Sequence, residues 1–136
     1  MVAALCDWHE HHERAAGEIR RRLTAGESMV IAAPTVIETY SVLTRLPPPH
    51  RLSPTDALAL LEANFFSADH EAVALTVDDY HEIVRNAPAR GIAGGRVYDA
   101  VIVACARAAN VSSVLTFNER EFQALVNQSI EVVVPR

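Results

Sequence analysis

Residues 97–106 read VYDAVIVACA, a run in which every side chain except one is apolar or aromatic. The length and small-residue content of the run predict a helix over 97–109 that packs against a sheet, with Asn110 as a left-handed stop. The exception is Asp99, near the start of the run. A carboxylate in a buried segment costs several kcal/mol unless something pairs with it. Asp99 is therefore the first candidate for a functional residue.

The sequence on either side of this run alternates between short apolar strands and longer amphipathic segments. Apolar runs predict strands at 28–33, 71–76, 111–117 and 130–134. Helices are predicted at 7–23, 35–46, 54–66, 78–87 and 118–126. Strands that alternate with helices and are apolar on both faces indicate an α/β fold with a mainly parallel sheet. With no linker or repeat in the chain, we expect one domain over residues 1–136.

Composition excludes several classes of protein. The formal net charge is -5, so no overall positive field draws the protein to nucleic acid. All twelve basic residues are arginine, which removes the lysine of a P-loop and lysine Schiff-base chemistry. The longest apolar runs are too short for a membrane span, and no secretory leader is evident. Cys6 and Cys105 lack the spacing of a metal or redox pair, so reduced thiols and a cytoplasmic location are expected.

Three polar side chains lie at or near the starts of predicted helices, where open α/β folds bind ligands. Glu38 follows the strand at 28–33, Asn118 follows the strand at 111–117, and Asp99 lies at the start of its helix. Carboxylates gathered at one edge repel each other unless a cation lies between them. A hard divalent ion with oxygen ligands, Mg²⁺ or Mn²⁺, is the natural partner.

Each of these residues also has a purely structural interpretation. Thr35 and Glu38 have the spacing of a capping box at a helix start. Asp99 would gain from the helix dipole or act as a cap, and Asn118 with Glu121 has the spacing of a cap. The residues alone leave these alternatives open.

Four segments together resemble a known family: VAAL followed by HHERA near the start, IAAPTVIETYSVLTRLP at 31–47, VYDAVIVACA at 97–106, and VLTFNEREF at 114–122. In this order they look like a PIN-domain ribonuclease, and most like the VapC toxins of bacterial type II toxin–antitoxin systems. The resemblance implies a three-layer α/β/α sandwich and hydrolysis of RNA with Mg²⁺ or Mn²⁺ held by acidic residues. It also implies a VapB-type antitoxin and a homodimer as partners.

The resemblance also implies roles for individual residues. Glu38 matches the second acid of the family and Asp99 the third. Asn118, preceded by Thr116, stands where the family usually has its fourth acid, so it would supply an oxygen without the charge. All three are expected to be catalytic and metal-binding. Thr116, Arg96 and Arg120 are expected to contact the RNA substrate.

The chain departs from the family pattern at its beginning. The first acid of the family lies at the end of a first strand, whereas this sequence begins at MVAAL, just after that point. The first strand and its aspartate are therefore expected to be missing, which opens an alternative function: a catalytically impaired PIN remnant that binds an antitoxin. A phosphoacceptor domain would also gather acids around Mg²⁺, but it needs a late lysine, and the chain has none.

Overall fold

The computed structural model of the chain describes residues 1–66 and 70–136. These residues form seven helices and four three-residue strands, and they group into two compact units. The first unit comprises Met1–Ala72 with Arg136, and the second comprises Val73–Pro135. The strands form two pairs, β1 with β2 and β3 with β4.

The first unit is mainly helical. Its elements are α1 (Val2–Leu5), α2 (His12–Thr24), β1 (Val30–Ala32), α3 (Ala33–Arg45), α4 (Pro54–Phe65) and most of β2 (Glu71–Val73). One core cluster is built around Cys6, Leu43 and Ala57, and another around Ile31, Leu61 and Phe65. Apolar residues spaced along α3 and α4 thus bury one side of each helix, as the sequence predicts.

The second unit places its helices around a parallel strand pair. Its elements are α5 (Val77–Asn86), α6 (Arg96–Ala108), β3 (Ser113–Leu115), α7 (Glu119–Gln123) and β4 (Glu131–Val133). β3 and β4 are parallel, with Ser113 opposite Glu131 and Leu115 opposite Val133. The core of this unit contains Val103 of α6 and Phe122 of α7. The predicted α/β class and parallel pairing are confirmed here.

Several helix boundaries follow directly from residue chemistry. The Ser53 hydroxyl accepts the backbone N–H of Asp56 and caps α4, whose first residue is Pro54. Thr76 and Asp79 form a capping box at the start of α5. At the end of α6, Asn110 takes a positive φ of 52°. The backbone N–H of Val111 then donates to the Ala106 carbonyl, which closes the helix as a Schellman turn.

Other predicted boundaries are wrong. The helix expected over 7–23 begins only at His12, because the chain turns at His9, whose Nδ1 accepts the N–H of His11 at 3.1 Å. The strands are also shorter than predicted, since only three residues of each apolar run lie in a ladder. In the strand predicted at 111–117, for example, the ladder covers Ser113–Leu115 and is followed by a single further bond from Thr116 N–H to the Val133 carbonyl.

Candidate functional site: the α6–α7 edge

The strongest candidate site lies in the second unit, where the first turns of α6 and α7 meet. Asp99 is in the first turn of α6 and half-buried, and Asn118 directly precedes α7 and is exposed. The Asn118 side-chain amide donates to Asp99 Oδ2 at 3.4 Å. A carboxylate and an amide, 19 residues apart in sequence, are therefore neighbours at the edge that follows β3.

The backbone position of Asn118 is fixed by hydrogen bonds of Thr116 and Asn118. Its backbone N–H donates to the hydroxyl of Thr116 at 3.0 Å. The backbone N–H of Thr116 donates to the Val133 carbonyl at 3.0 Å and continues the β3–β4 ladder by one bond. Thr116, predicted to bind substrate, thus links Asn118 to the strand pair. A contact with substrate stays a prediction.

The structure decides between the structural interpretations of these residues. Asn118 occupies the N-cap position of α7, but its side chain is directed to Asp99 instead of to the backbone of α7. Gly95 is the N-cap of α6, so Asp99 is not that cap, although its place in the first turn still benefits from the helix dipole.

A second polar contact joins the same two helices. Arg96 Nε lies 2.5 Å from Glu121 Oε2, and Arg96 Nη1 donates to the Gly91 carbonyl at 3.3 Å. The prediction that Arg96 holds a phosphate of the substrate stays a prediction. Arg120, the other arginine with that prediction, is exposed on α7. Sequence reasoning missed the pairing of Arg96 with Glu121; the only signal was their opposite charge at helix starts.

Glu38 lies in the first unit, exposed in α3 six residues after β1 ends at Ala32. The capping-box interpretation is wrong for it, because α3 begins at Ala33 and the Thr35 hydroxyl donates to the Ala32 carbonyl. Burial lowers the pKa of the Met1 amino group, and the nearby charge of Glu38 opposes this with a smaller, raising effect. The joining of Glu38 with Asp99 and Asn118 in one site stays a prediction.

The donor set at α6–α7 fits a small hard cation. Carboxylate and amide oxygens are the ligands that Mg²⁺ and Mn²⁺ prefer, and Mg²⁺ is commonly held by one or two carboxylates with water filling its other positions. Over residues 1–66 and 70–136, however, no three His, Cys, Asp or Glu side chains gather closely enough to hold a metal. Asp99 and Asn118 would therefore supply part of the coordination shell of such an ion.

The cysteines offer no competing site. Cys6 and Cys105 are both buried and unbridged. Burial, with a smaller effect from nearby carboxylates, raises the pKa of both thiols. Because the thiolate is the nucleophile, neither cysteine is suited to attack a substrate. In the described part of the chain, no helix is both long and apolar enough to cross a membrane.

The comparisons with known proteins agree on the family. Residues 1–127 match the PIN domain. Over 132 residues, 97% of this chain, the sequence is 36% identical to the ribonuclease VapC40 of two Mycobacterium tuberculosis strains and covers 91% of that protein. It is 32% identical over 132 residues to the ribonuclease VapC27 of M. tuberculosis H37Rv, of which it covers 82%.

Proposed function

Because the chain belongs to the PIN-domain family, we propose that it is a metal-dependent ribonuclease, the toxin component of a VapBC-type toxin–antitoxin system, built as one PIN-like α/β/α domain. The observation that carries this proposal is the contact between Asp99 and Asn118 at 3.4 Å. An N-cap asparagine would ordinarily bond to the backbone of its own helix. Here the amide is turned to a carboxylate, which places two oxygen-bearing groups at the helix starts after β3.

We assign the site residues by what each can do. Asp99 would hold Mg²⁺ or Mn²⁺ through its carboxylate, with Glu38 as the second acid. Asn118 would offer its amide oxygen, because rotation of the amide exchanges oxygen and nitrogen between nearly equal positions. The bound ion supplies Lewis acidity at the scissile phosphodiester. Arg120, which is exposed two residues after Asn118, would contact an RNA phosphate.

The direct test is cleavage of RNA by the purified chain. We expect total bacterial RNA to be cut at discrete positions in Mn²⁺ or Mg²⁺ and to remain intact in EDTA. Cleavage that persists in EDTA, or no cleavage together with no effect of Mn²⁺ on thermal unfolding, would reject the assignment.

Asn118→Asp gives a sharper test of the metal assignment. The substitution places two carboxylates about 3.4 Å apart, which without metal costs roughly 1 kcal/mol at solvent-exposed dielectric. With Mn²⁺ the same change adds a charged ligand, so the apparent affinity for Mn²⁺ should rise. Gln123→Glu adds the same charge at an exposed position of α7 and should leave Mn²⁺ affinity unchanged. An equal response of both variants to Mn²⁺ would count against a site at Asn118.

One observation favours the alternative of a catalytically impaired PIN remnant that binds an antitoxin. Within the described residues no set of three acidic, histidine or cysteine ligands is assembled. On this alternative the chain would form a stable complex with its cognate antitoxin and cleave no RNA at any Mn²⁺ concentration. The cleavage assay above therefore separates the two functions.

A protein partner is supported by an apolar stripe on α5. Val77, Tyr80 and Val84 are 69%, 37% and 64% exposed and recur at the spacing of one helix face. Exposed apolar groups in a row are typical of surfaces that another protein covers. A homodimer and a VapB-type antitoxin are the partners we propose. Light scattering of the chain alone and with its antitoxin distinguishes them.

A further inference from the structure

We propose that Arg96 and Glu121 act as a positioning pair that sets the placement of Asn118 beside Asp99. The inference rests on the proposed function for its catalytic consequence, although the placement itself can be measured without activity. Two contacts join α6 to α7 at this edge: the ion pair of Arg96 with Glu121 at 2.5 Å, and the hydrogen bond of Asn118 with Asp99 at 3.4 Å.

The two contacts are spaced alike on both helices. Arg96 and Asp99 are three residues apart at the start of α6, and Asn118 and Glu121 are three residues apart at the start of α7. Residues three apart on a helix lie on one face, one turn from each other. A displacement of Glu121 relative to Arg96 therefore carries Asn118 with it relative to Asp99.

α7 is held in the second unit by contacts on an apolar and on a polar side. It is five residues long, and its N-cap side chain is directed to Asp99. Isolated helices of this length are unstable, so tertiary contacts must hold it. On its apolar side Phe122, which is 4% exposed, packs into the core of the second unit. On its polar side the contact is the Glu121 carboxylate with Arg96.

The Arg96 guanidinium is suited to this task. Its Nη1 donates to the Gly91 carbonyl at 3.3 Å, and its Nε, which makes no hydrogen bond to any described residue, lies 2.5 Å from Glu121 Oε2 as an ion pair. The two side chains are 38% and 33% exposed, which leaves the pair partly shielded from solvent.

The test uses Arg96→Met, Glu121→Gln and the double variant, with two readouts. The first is amide exchange at Phe122 and Ala124, whose N–H groups donate to the Asn118 and Arg120 carbonyls. We expect about two- to fivefold faster exchange in each variant, because the pair adds a modest local stability. The second is RNA cleavage, where kcat should fall about tenfold while KM stays within about twofold, since placement is lost and not RNA binding.

The double variant gives the decisive comparison. Each single substitution breaks the same contact. The kcat of the double variant should therefore fall no further than the kcat of either single variant. If Glu121→Gln still lowers kcat in the Arg96→Met background, Glu121 acts by itself and the pairing is wrong. If Arg96→Met raises KM and Glu121→Gln does not, Arg96 binds RNA directly and the inference is also wrong. Arg96→Lys should restore part of the lost kcat.

The matched control is Glu18→Gln on α2. The Glu18 carboxylate pairs with Arg21 at 2.6 Å and Arg22 at 2.7 Å, so the control removes an ion pair of the same chemistry in the other unit. It should change neither readout. If the wild-type chain cleaves no RNA, the proposed function has failed, and the exchange rates still test the pair. If the exchange rates do not respond in a chain that cleaves RNA, the pair is refuted and the function stands.

Discussion

Replacing Asp99 by asparagine separates the structural and the functional roles of this carboxylate. Asp99 lies in the first turn of α6, where a negative charge gains about 0.3–1 kcal/mol from the helix dipole. Its bond to the Asn118 amide is long, at 3.4 Å, and asparagine still offers an oxygen acceptor. In metal-free buffer Asp99→Asn should therefore lower the free energy of unfolding by no more than about 1 kcal/mol.

The difference should appear when Mn²⁺ is added. An ion at a hundred times its Kd stabilises the native state by about 2.7 kcal/mol, which for a chain of this size raises Tm by roughly 10 °C. The wild-type chain should show this gain, and the Asp99→Asn variant should show little of it and no RNA cleavage. Thermal unfolding with and without Mn²⁺ measures the first effect, and the RNA assay measures the second.

Asp78→Asn is the control for this variant. Asp78 is exposed in the first turn of α5, so its replacement removes a charge from an equivalent helix position. Asp78→Asn should lower the free energy of unfolding by the same small amount. It should keep both the stabilisation by Mn²⁺ and the cleavage of RNA. Full cleavage by Asp99→Asn, or an undiminished gain from Mn²⁺, would refute the metal role of Asp99 and leave it a structural role at the start of α6.

Three further predictions concern stability and follow from contacts outside the site. Thr76→Ala removes the capping box of α5 and should lower the free energy of unfolding by about 1 kcal/mol in denaturant titrations, whereas Thr76→Ser should retain most of it. Leu43→Ala empties a fully buried position and should cost about 2–5 kcal/mol, whereas Leu58→Ala, at a 45% exposed position, should cost far less. The arginines beside Glu18 lower its pKa from 4.5 to about 2, so its stabilising contribution is present above pH 4.5 and is lost as the pH falls toward 2. Glu18→Gln should reduce that part of the pH dependence, and an unchanged acid profile of stability in this variant would contradict it.

The parts of the fold that the sequence predicts well are those fixed by local chemistry. The helices predicted to start at 54 and 78 begin within one residue of those positions, because Ser53 caps α4 and Thr76 with Asp79 caps α5. Asn110 is a left-handed helix stop as expected. In each case the deciding bonds lie within a few residues of the named side chain, so no knowledge of the tertiary structure is needed.

The predictions fail where a local signal competes with another contact. Thr35 and Glu38 have capping-box spacing, yet the N-cap is Ala32, because the helix begins as soon as β1 ends and Pro34 fits its first turn. The helix expected from Asp7 begins at His12, because the His9 ring binds a backbone N–H that a helix would use otherwise. The spacing of residues in the sequence does not show which of two competing contacts forms.

The candidate site was predictable in type and only partly in detail. The position of Asn118 after β3 follows from the order of elements, but its contact with Asp99 depends on how α7 packs against α6. Arg96 shows the same limit: the sequence did not indicate that Glu121 lies 2.5 Å from it, and its contact with a phosphate stays a prediction. The order of elements predicted that Asp99 and Asn118 share an edge, whereas the individual bonds between side chains are set by tertiary packing, which one sequence does not reveal.

The position of Asp99 near the start of α6 explains how an otherwise apolar helix tolerates its charge. The helix buries Val103 and Cys105 further along, while Asp99 one turn from its start stays half-exposed, so the cost of burying its charge is reduced. Capping does not explain it, since Gly95 is the N-cap. What distinguishes Asp99 from any other first-turn acid is that the Asn118 amide is turned toward it and away from the helix that Asn118 would otherwise cap. Because that arrangement forgoes the roughly 1 kcal/mol of a capping bond, a role beyond helix stability is the simplest reason for it.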